Sequence, residues 1–539
     1  MARFDVQAAW HTSWFLGFLL RVWEGSIFHR VMVAVLRWVS HLARYSWTRR
    51  VLLSVWPAGE SFRDSRTGRV LLGLNRWLTG VTQSLSRLLK GAWESSLLVR
   101  LARALTPVSD TSWVIQSPLG YPLDTELAPA ETGRARYSML LPMLGAVLGV
   151  LALIPSPGPG EGGLNPTILM VLGIWGIGGL WLVEKLMTRD FTWRASSVFL
   201  PLVIFLILAG AAALTSPVPS DSMLNYVLWL TAALLFLLTV NLARNTRDVA
   251  AFMGPIMVAG VLMALWSVYQ FINPPEIAEA WLDPTEVEKG IVRTFAGMNN
   301  PNYLALYMEL FIPVTVALWV QQPKRRLELT GILGALVLAL LLTQSRAGWF
   351  GLAVAAVAFI LMRTGRWWFL LVFGAVLAWN LAPASIVERV MTAFDPRHTS
   401  NVYRENIRIG VIRTIRDNWL LGTGLGAPAF ALRYQEHMLA AAGAAHAHNT
   451  YLEMLAETGI FGFGVIMWTL FTLLRRTVAA GFDMLRSPVP AAVAAAIIGV
   501  LVHGTAEHIW YNPKILFSFW AVAGLGMGLV LGDKEGAQA

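Results

Sequence analysis

The chain of 539 residues contains no cysteine. That excludes a disulfide framework and any thiolate metal site. Charge is also scarce, with Asp, Glu, Lys and Arg together making up 14% of the chain against 56% hydrophobic residues. A soluble domain has no use for such a balance, and apolar runs of about 16 to 24 residues recur along the sequence. The composition therefore reads as an all-α, polytopic membrane protein. The balance of charge is uneven along the chain. Residues 1–137 hold 17 Lys and Arg against 9 Asp and Glu, whereas the remainder holds 25 against 23, within a net charge of +10. A cationic excess confined to one end points to anionic membrane lipids. Nothing in the chain reads as a nucleic-acid module.

Two regions follow. Residues 1–137 interleave Trp10, Trp14, Trp23, Trp38, Trp47, Trp77 and Trp93 with Arg21, Arg30, Arg37, Arg44, Arg76, Arg87 and Arg100 at helical spacing. This predicts two or three amphipathic helices in the cytoplasmic interface, broken near Pro57-Ala58-Gly59 and ending near Pro107. The opening run is too short for a cleaved signal peptide and lacks its small-residue cleavage site. Residues 118–133 read as a linker. The second region, 138–539, is predicted to cross the membrane twelve times. The spans lie near 138–154, 167–184, 197–214, 224–241, 250–272, 303–320, 327–343, 348–362, 367–382, 450–474, 490–508 and 513–532.

The positive-inside rule orients this set. With both termini cytoplasmic, the inner loops carry Lys185, Arg189 and Arg194; Arg244 and Arg247; Lys324, Arg325 and Arg326; Arg363 and Arg366; and Arg475, Arg476 and Arg486. Outer loops 155–166 and 215–223 carry no Lys or Arg. Loop 273–302, the turn at Gln344–Gly348 and the long loop 383–449, between spans 9 and 10, all fall outside.

The outer loops hold the residues that carry chemistry. Ala445-His446-Ala447-His448-Asn449-Thr450 runs directly into an apolar helix. Thr450 and Glu453 have capping-box spacing, with Asn449 as a second candidate cap, so His448 is placed at a helix N-terminus. There the helix dipole favours a neutral imidazole able to accept a proton. Arg293 precedes a turn-rich stretch ending in Asn300-Pro301-Asn302. An outer arginine needs either an anionic ligand or a carboxylate, for which Glu286 and Glu288 are candidates. Arg346 sits in a very short turn after Ser345. Its guanidinium either grips phosphate oxygens in bidentate fashion or snorkels to the interface. In loop 383–449 a helix through Tyr403–Gly410 would set Arg404 and Arg408 on one face. Gly422-Thr423-Gly424-Leu425-Gly426 reads as a flexible turn, since no strand precedes it and it lies on the wrong side for ATP. His446 and His448 are a common ligand pair, but no cysteine is available and acidic residues are sparse in the loop, so no metal is expected. His503, Glu507 and His508 form a second polar cluster at an outer helix end, which either supports the site from behind or is merely interfacial, the latter being the preferred reading.

Together these motifs resemble the O-antigen ligase family, which shares its core signature with Wzy-type polysaccharide polymerases. The resemblance spans roughly Ser138 to Leu531. It rests on His448-Asn449 followed by Gly459-Ile460-Phe461-Gly462, on Arg293 with Gly297 and Asn300-Pro301-Asn302, on Ser345-Arg346-Ala347-Gly348, and on Arg404 with Gly422-Thr423-Gly424. It implies a bacterial cytoplasmic-membrane transferase whose site faces outward. Such an enzyme takes a glycan from undecaprenyl pyrophosphate and passes it to a glycan, lipid or protein hydroxyl, with inversion and without cofactor. Carried over by residue, Arg293, Arg346 and Arg404 would bind the pyrophosphate and His448 would be the catalytic base. Asn302, Ser345, His446 and Asn449 would support them. Two further readings stand beside it: a non-enzymatic glycolipid flippase, whose internal repeats are not evident here, and a metal-dependent hydrolase built on His446 and His448.

Overall fold

A computed structural model describes residues 139–157, 165–188, 194, 196–274, 292–363, 399–439, 443–483 and 487–536. The expected amphipathic region 1–137, the span 367–382, and Glu286 and Glu288 lie outside the described residues. All regular structure among the described residues is helical. In chain order the helices are α1 (Leu140–Leu153), α2 (Pro166–Thr188), α3 (Phe199–Leu214), α4 (Pro219–Leu242), α5 (Thr246–Ile272), α6 (Pro301–Gln321), α7 (Arg326–Leu342), α8 (Arg346–Arg363), α9 (Thr399–Asp417), α10 (Ala427–Tyr434), α11 (Thr450–Gly481), α12 (Val489–His503) and α13 (Pro513–Gly536). Helices α2, α4, α5, α6, α8, α11 and α13 are long and apolar enough to cross a membrane, and α1, α3 and α12 are shorter apolar helices. Seven of the twelve expected crossings thus coincide with described helices of spanning length.

Polar residues set where the helices begin. Asn245 accepts from the amides of Arg247 and Asp248 while Asp248 reaches back, a capping box at the start of α5. Asn300 accepts from the Asn302 amide at 2.7 Å, and Pro301 occupies the first turn of α6. The centre of the bundle is made by α6 and α13, buried over 83% and 89% of their spanning windows. Phe236, Phe252, Phe311, Phe517 and Trp520 fill the space between the helices. By contrast α2 is only 22% buried and turns Ile168, Leu172 and Trp175 outward, which suits a helix facing lipid tails.

Helix α8 is also peripheral, yet it lies very close against α12. Gly351 and Gly499 face each other there. A methyl group on Gly351 would stand 2.9 Å from the Gly499 carbonyl oxygen, and one on Gly499 would stand 2.6 Å from that of Gly351. Small residues at such crossings let backbones approach, which is how helices associate where water supplies no drive.

The loops gather at two ends. At one end Arg194 donates to the carbonyls of Ala243 and Gly528, Gln321 donates to Ser487, and Arg363 donates to the Asp483 carbonyl. These are the loops expected inside. At the other end the α5–α6, α7–α8 and α12–α13 connections meet the start of α11.

Between the ends, a carboxylate on α6 meets a histidine on α12: Glu309 Oε1 and His503 Nδ1 are 2.8 Å apart and both side chains are fully buried. Removing one member strands the other in the bundle, at a cost on the order of 3 kcal/mol. Glu309→Ala is therefore expected to lower the thermal midpoint of the detergent-solubilised protein by several degrees. Glu309→Gln, which can still hydrogen-bond, should lower it less. An unchanged midpoint in Glu309→Ala would show that the pair contributes nothing to stability.

Candidate active site

Four connections build the site, and three of them hold residues in an uncommon backbone conformation. The non-glycine residues with positive φ among the described residues are Ala296, Asn299, Gln344 and His448, at 41°, 57°, 53° and 47°. Ala296 and Asn299 lie between α5 and α6, Gln344 lies between α7 and α8, and His448 immediately precedes α11. Such conformations each cost on the order of 1–3 kcal/mol and persist only where their surroundings impose them. All four lie in segments that meet at one end of the bundle.

His448 is positioned by its neighbours. Asn449 caps α11, accepting from the amides of Tyr451 and Leu452 at 3.0 Å each. The cap is thus the second candidate read from the sequence rather than Thr450. Thr450 is occupied elsewhere: its hydroxyl donates to the Glu507 carbonyl and accepts from the Ile509 amide. Glu453 reaches back to the Ala447 amide at 2.5 Å. The Ala447 side chain is buried in a small core with Ile407, Val411, Phe430, Tyr434 and Ala456. With Ala447 clamped, His446 and His448 come together, their ring centroids 4.2 Å apart and the His448 amide donating to His446 Nδ1 at 3.2 Å.

The hub is a residue read from sequence as interfacial. Glu507 Oε1 lies 3.2 Å from His448 Nδ1 and accepts from the His508 amide at 3.0 Å, while Oε2 accepts from Asn302 Nδ2 at 2.8 Å. Asn302 Oδ1 in turn accepts from Ser345 Oγ at 2.9 Å and from Arg293 Nη2 at 3.2 Å. Arg293 also donates from Nε to the Thr343 carbonyl at 3.2 Å. One hydrogen-bonded chain therefore links Arg293, Ser345, Asn302, Glu507 and His448. The Glu507 side chain is 2% exposed and that of His448 26%. A buried carboxylate thus stands behind a ring that remains accessible.

The supposed second polar cluster separates into three. His503 pairs with Glu309 inside the bundle, Glu507 joins the site, and His508 lies behind His446 at 6.1 Å between ring centroids. A single carboxylate at the end of an apolar helix, costly to place there without a partner, was the signal for Glu507 in the sequence.

The arginines are distributed around this chain. Arg346 is half-buried and opens α8 directly after Ser345, at the same end of the bundle. Arg404 on α9 is near enough for its charge to act on both His446 and Glu507. Arg408, one turn further along the same helix, pairs with Glu405 at the surface. The Gly422–Gly426 stretch is not a free turn. The Thr423 amide donates to the Ala456 carbonyl at 2.7 Å, that of Gly424 to the Glu457 carbonyl at 3.2 Å, and that of Gly426 to Glu457 Oε1 at 2.6 Å. Gly459 breaks the helical path inside α11 with φ 64°, and a side chain there would collide with the Leu420 carbonyl. The kink and the strap fit each other, and both hold the first turns of α11, which carry His448 at their head.

Electrostatics follow from burial. Burial alone would raise the Glu507 pKa, but His448, through its charge and its hydrogen bond, together with His446 and Arg404, holds the carboxyl well below the usual range. Burial is also the main influence on His446, lowering its pKa to about 4. Glu507 is thus anionic and His446 neutral near pH 7. His446, His448 and Glu507 could also offer a metal ligands, since one donor atom from each lies within 4.8 Å of the others. The third ligand that the loop itself lacks comes from the α12–α13 connection. As placed, however, His446 Nδ1 and both Glu507 oxygens already hold hydrogen bonds within the protein, which an ion would have to displace.

The fold and this site define a helical membrane protein with a histidine–carboxylate pair and arginines at one end of its bundle. A family model described as O-antigen ligase matches residues 331–467, which bears out the resemblance read from the motifs. The matched stretch contains Ser345, Arg346, Arg404 and His446–Asn449. It does not contain Arg293, Asn302 or Glu507, which the fold brings to it. No curated protein matches the chain.

Because His446 takes up a proton at 6.5 in an unfolded chain and only near 4 when folded, the unfolded state binds more protons between these values. Stability therefore falls as pH drops from about 6.5 towards 4. The thermal midpoint of the wild type is expected to decline more over this window than that of His446→Gln. Parallel declines would place the acid sensitivity elsewhere.

Proposed function

We propose that the protein transfers a glycan from undecaprenyl pyrophosphate to an acceptor hydroxyl at the outer face of the bacterial cytoplasmic membrane. The reading is carried by one observation: an accessible imidazole whose Nδ1 faces a buried carboxylate, within a network that includes an arginine. Glu507 fixes the ring so that Nδ1 is engaged and Nε2 is left for substrate, the same orienting logic by which a carboxylate sets a histidine base elsewhere. His448 Nε2 takes the proton of the acceptor hydroxyl. The oxygen attacks the anomeric carbon from the face opposite the pyrophosphate, the carbon–oxygen bond to phosphate breaks, and the configuration inverts.

The leaving group departs as a charged polyprenyl pyrophosphate. Arg293, Arg346 and Arg404 stabilise that growing charge, with Arg293 held in place by Asn302 and the Thr343 carbonyl. The donor is already activated, so positioned cations and one base suffice without a cofactor. A polysaccharide polymerase uses the same chemistry with a growing glycan as acceptor, and the site residues serve both reactions.

A metal-dependent hydrolase is the second reading, favoured by the proximity of His446, His448 and Glu507. Purified protein given undecaprenyl-pyrophosphate glycan and an acceptor separates the two. Transfer is expected to continue in EDTA, and His448→Ala is expected to slow it about 10²–10⁴-fold. Glu507→Gln should slow it by a similar order, since it keeps the shape but loses the charge that stabilises imidazolium. Full activity in His448→Ala would sink the mechanism, and stoichiometric zinc lost on mutating either histidine would favour the hydrolase.

A further inference from the structure

Beside Tyr511 is a cavity of about 270 Å³. Its walls come from Asn225 and Trp229 on α4, from Gly426 on the strap, from Glu457 on α11, and from His508, Trp510 and Tyr511 in the α12–α13 connection. It adjoins the site directly, because the Tyr511 ring that lines it also packs against His446, with centroids 4.5 Å apart. Two of its walls carry polar atoms that the fold does not use. His508 and Trp510 are each 4% exposed, yet His508 Nδ1 and Trp510 Nε1 have no hydrogen-bond partner within the protein. Buried donors and acceptors of this kind cost about 1–3 kcal/mol each when left unmet, so a ligand that meets them is strongly preferred.

The chemistry of the walls narrows that ligand. An alkyl chain would fit the Trp229 and Tyr511 rings but would leave both ring nitrogens without partners. A phosphate would meet them but would face the Glu457 carboxylate, with Glu507 one residue from His508. A ring with apolar faces and hydroxyls at its edge satisfies all the walls together: faces against the aromatic side chains, hydroxyls to the imidazole, indole and carboxylate. The volume lies just under the ~300–1,000 Å³ of typical ligand pockets, which suits one sugar ring and not a length of polymer.

We propose that this cavity is a subsite for one uncharged pyranose unit of the glycan, next to the unit that reacts. It rests on the glycan-transfer reading for its role, though not for its existence. Trp510 and His508 are its recognition residues. Trp510→Phe removes the N–H and keeps a ring against Trp229, and His508→Phe removes the imidazole and leaves the backbone amide that serves Glu507.

The test uses full-length protein in lipid nanodiscs. Saturation-transfer NMR is run with the methyl glycosides of glucose, galactose and N-acetylglucosamine as probes and inorganic pyrophosphate as the anionic control. Wild type and His448→Ala are expected to bind at least one glycoside, with affinity about tenfold weaker in each of the two cavity variants, as befits one lost hydrogen bond. Pyrophosphate binding should be unchanged by either variant. No glycoside binding, or binding unaltered in both variants, overturns the subsite. Pyrophosphate weakened as much as the glycosides overturns it too, by making the cavity part of the carrier phosphate site. Where transfer is measured, a tenfold rise in KM for the acceptor assigns the sugar to the acceptor, and a rise for the donor assigns it to the donor. Glycoside binding without transfer in wild type would refute the transferase and leave the subsite standing.

Discussion

The arrangement depends on one carboxylate. Glu507 sits where α12 has ended and α13 has not begun, buried, with its two oxygens committed to opposite sides of the site. Through Oε2 it holds Asn302, and through Asn302 it reaches the arginine and serine of two further loops. Through Oε1 it meets His448. An anion removed from water in this way is costly unless its neighbours compensate. The compensation is the site itself: an amide hydrogen, a carboxamide, an imidazole and surrounding positive charge. The group that orients the proposed base is thus the one that ties four separate connections into a single structure.

The rest of the framework serves to bring the base to that carboxylate. His448 lies in a left-handed conformation because the residue before it is buried in a small helical core and the residue after it caps α11. The α11 path is in turn broken at Gly459 so that the 420–426 strap can lie against it and take up its backbone groups. Positive φ in four strap and kink glycines and in four site residues are two parts of one constraint. The chain is bent at the glycines so that it can be strained at the histidine.

Much of this was legible in the sequence for identifiable reasons. Helices showed because lipid demands long apolar runs with every backbone group satisfied internally, and the loops expected inside do meet at one end of the bundle. His448, Arg293, Asn302 and Ser345 were visible because polar residues beside apolar spans are expensive and so conspicuous. Glu507 was seen but given a lesser part, since its partners are 59 and 205 residues away and no local spacing reports contacts of that range. The Asn449 cap differed from the Thr450 reading for a similar reason: the Thr450 hydroxyl is taken by Glu507 and Ile509 from another connection. The Gly422–Gly426 stretch looked flexible because positive-φ glycines look alike in sequence whether they are free or bonded to a neighbouring helix.

The distribution of the site along the chain has a further consequence. The segment similar to the O-antigen ligase family, 331–467, supplies His448, Arg346 and Arg404, but Glu507, the carboxylate that faces His448, comes from after it, and Arg293 and Asn302 come from before it. Asn302 reaches Glu507 only because α6 packs against α12 and thereby sets the start of one helix beside the end of the other. Two turns deeper along the same contact, Glu309 meets His503. The crossing is therefore fastened twice, once within the bundle and once at its mouth, by a carboxylate from each helix side: Glu309 from α6 below and Glu507 after α12 above. A fastening inside the bundle fixes the angle between the two helices, and that angle decides whether Asn302 and Glu507 stand 2.8 Å apart or out of reach. Helix packing and the geometry of the proposed base are consequently not separable properties in this fold, because the histidine is aimed by the crossing of two helices on which it does not lie.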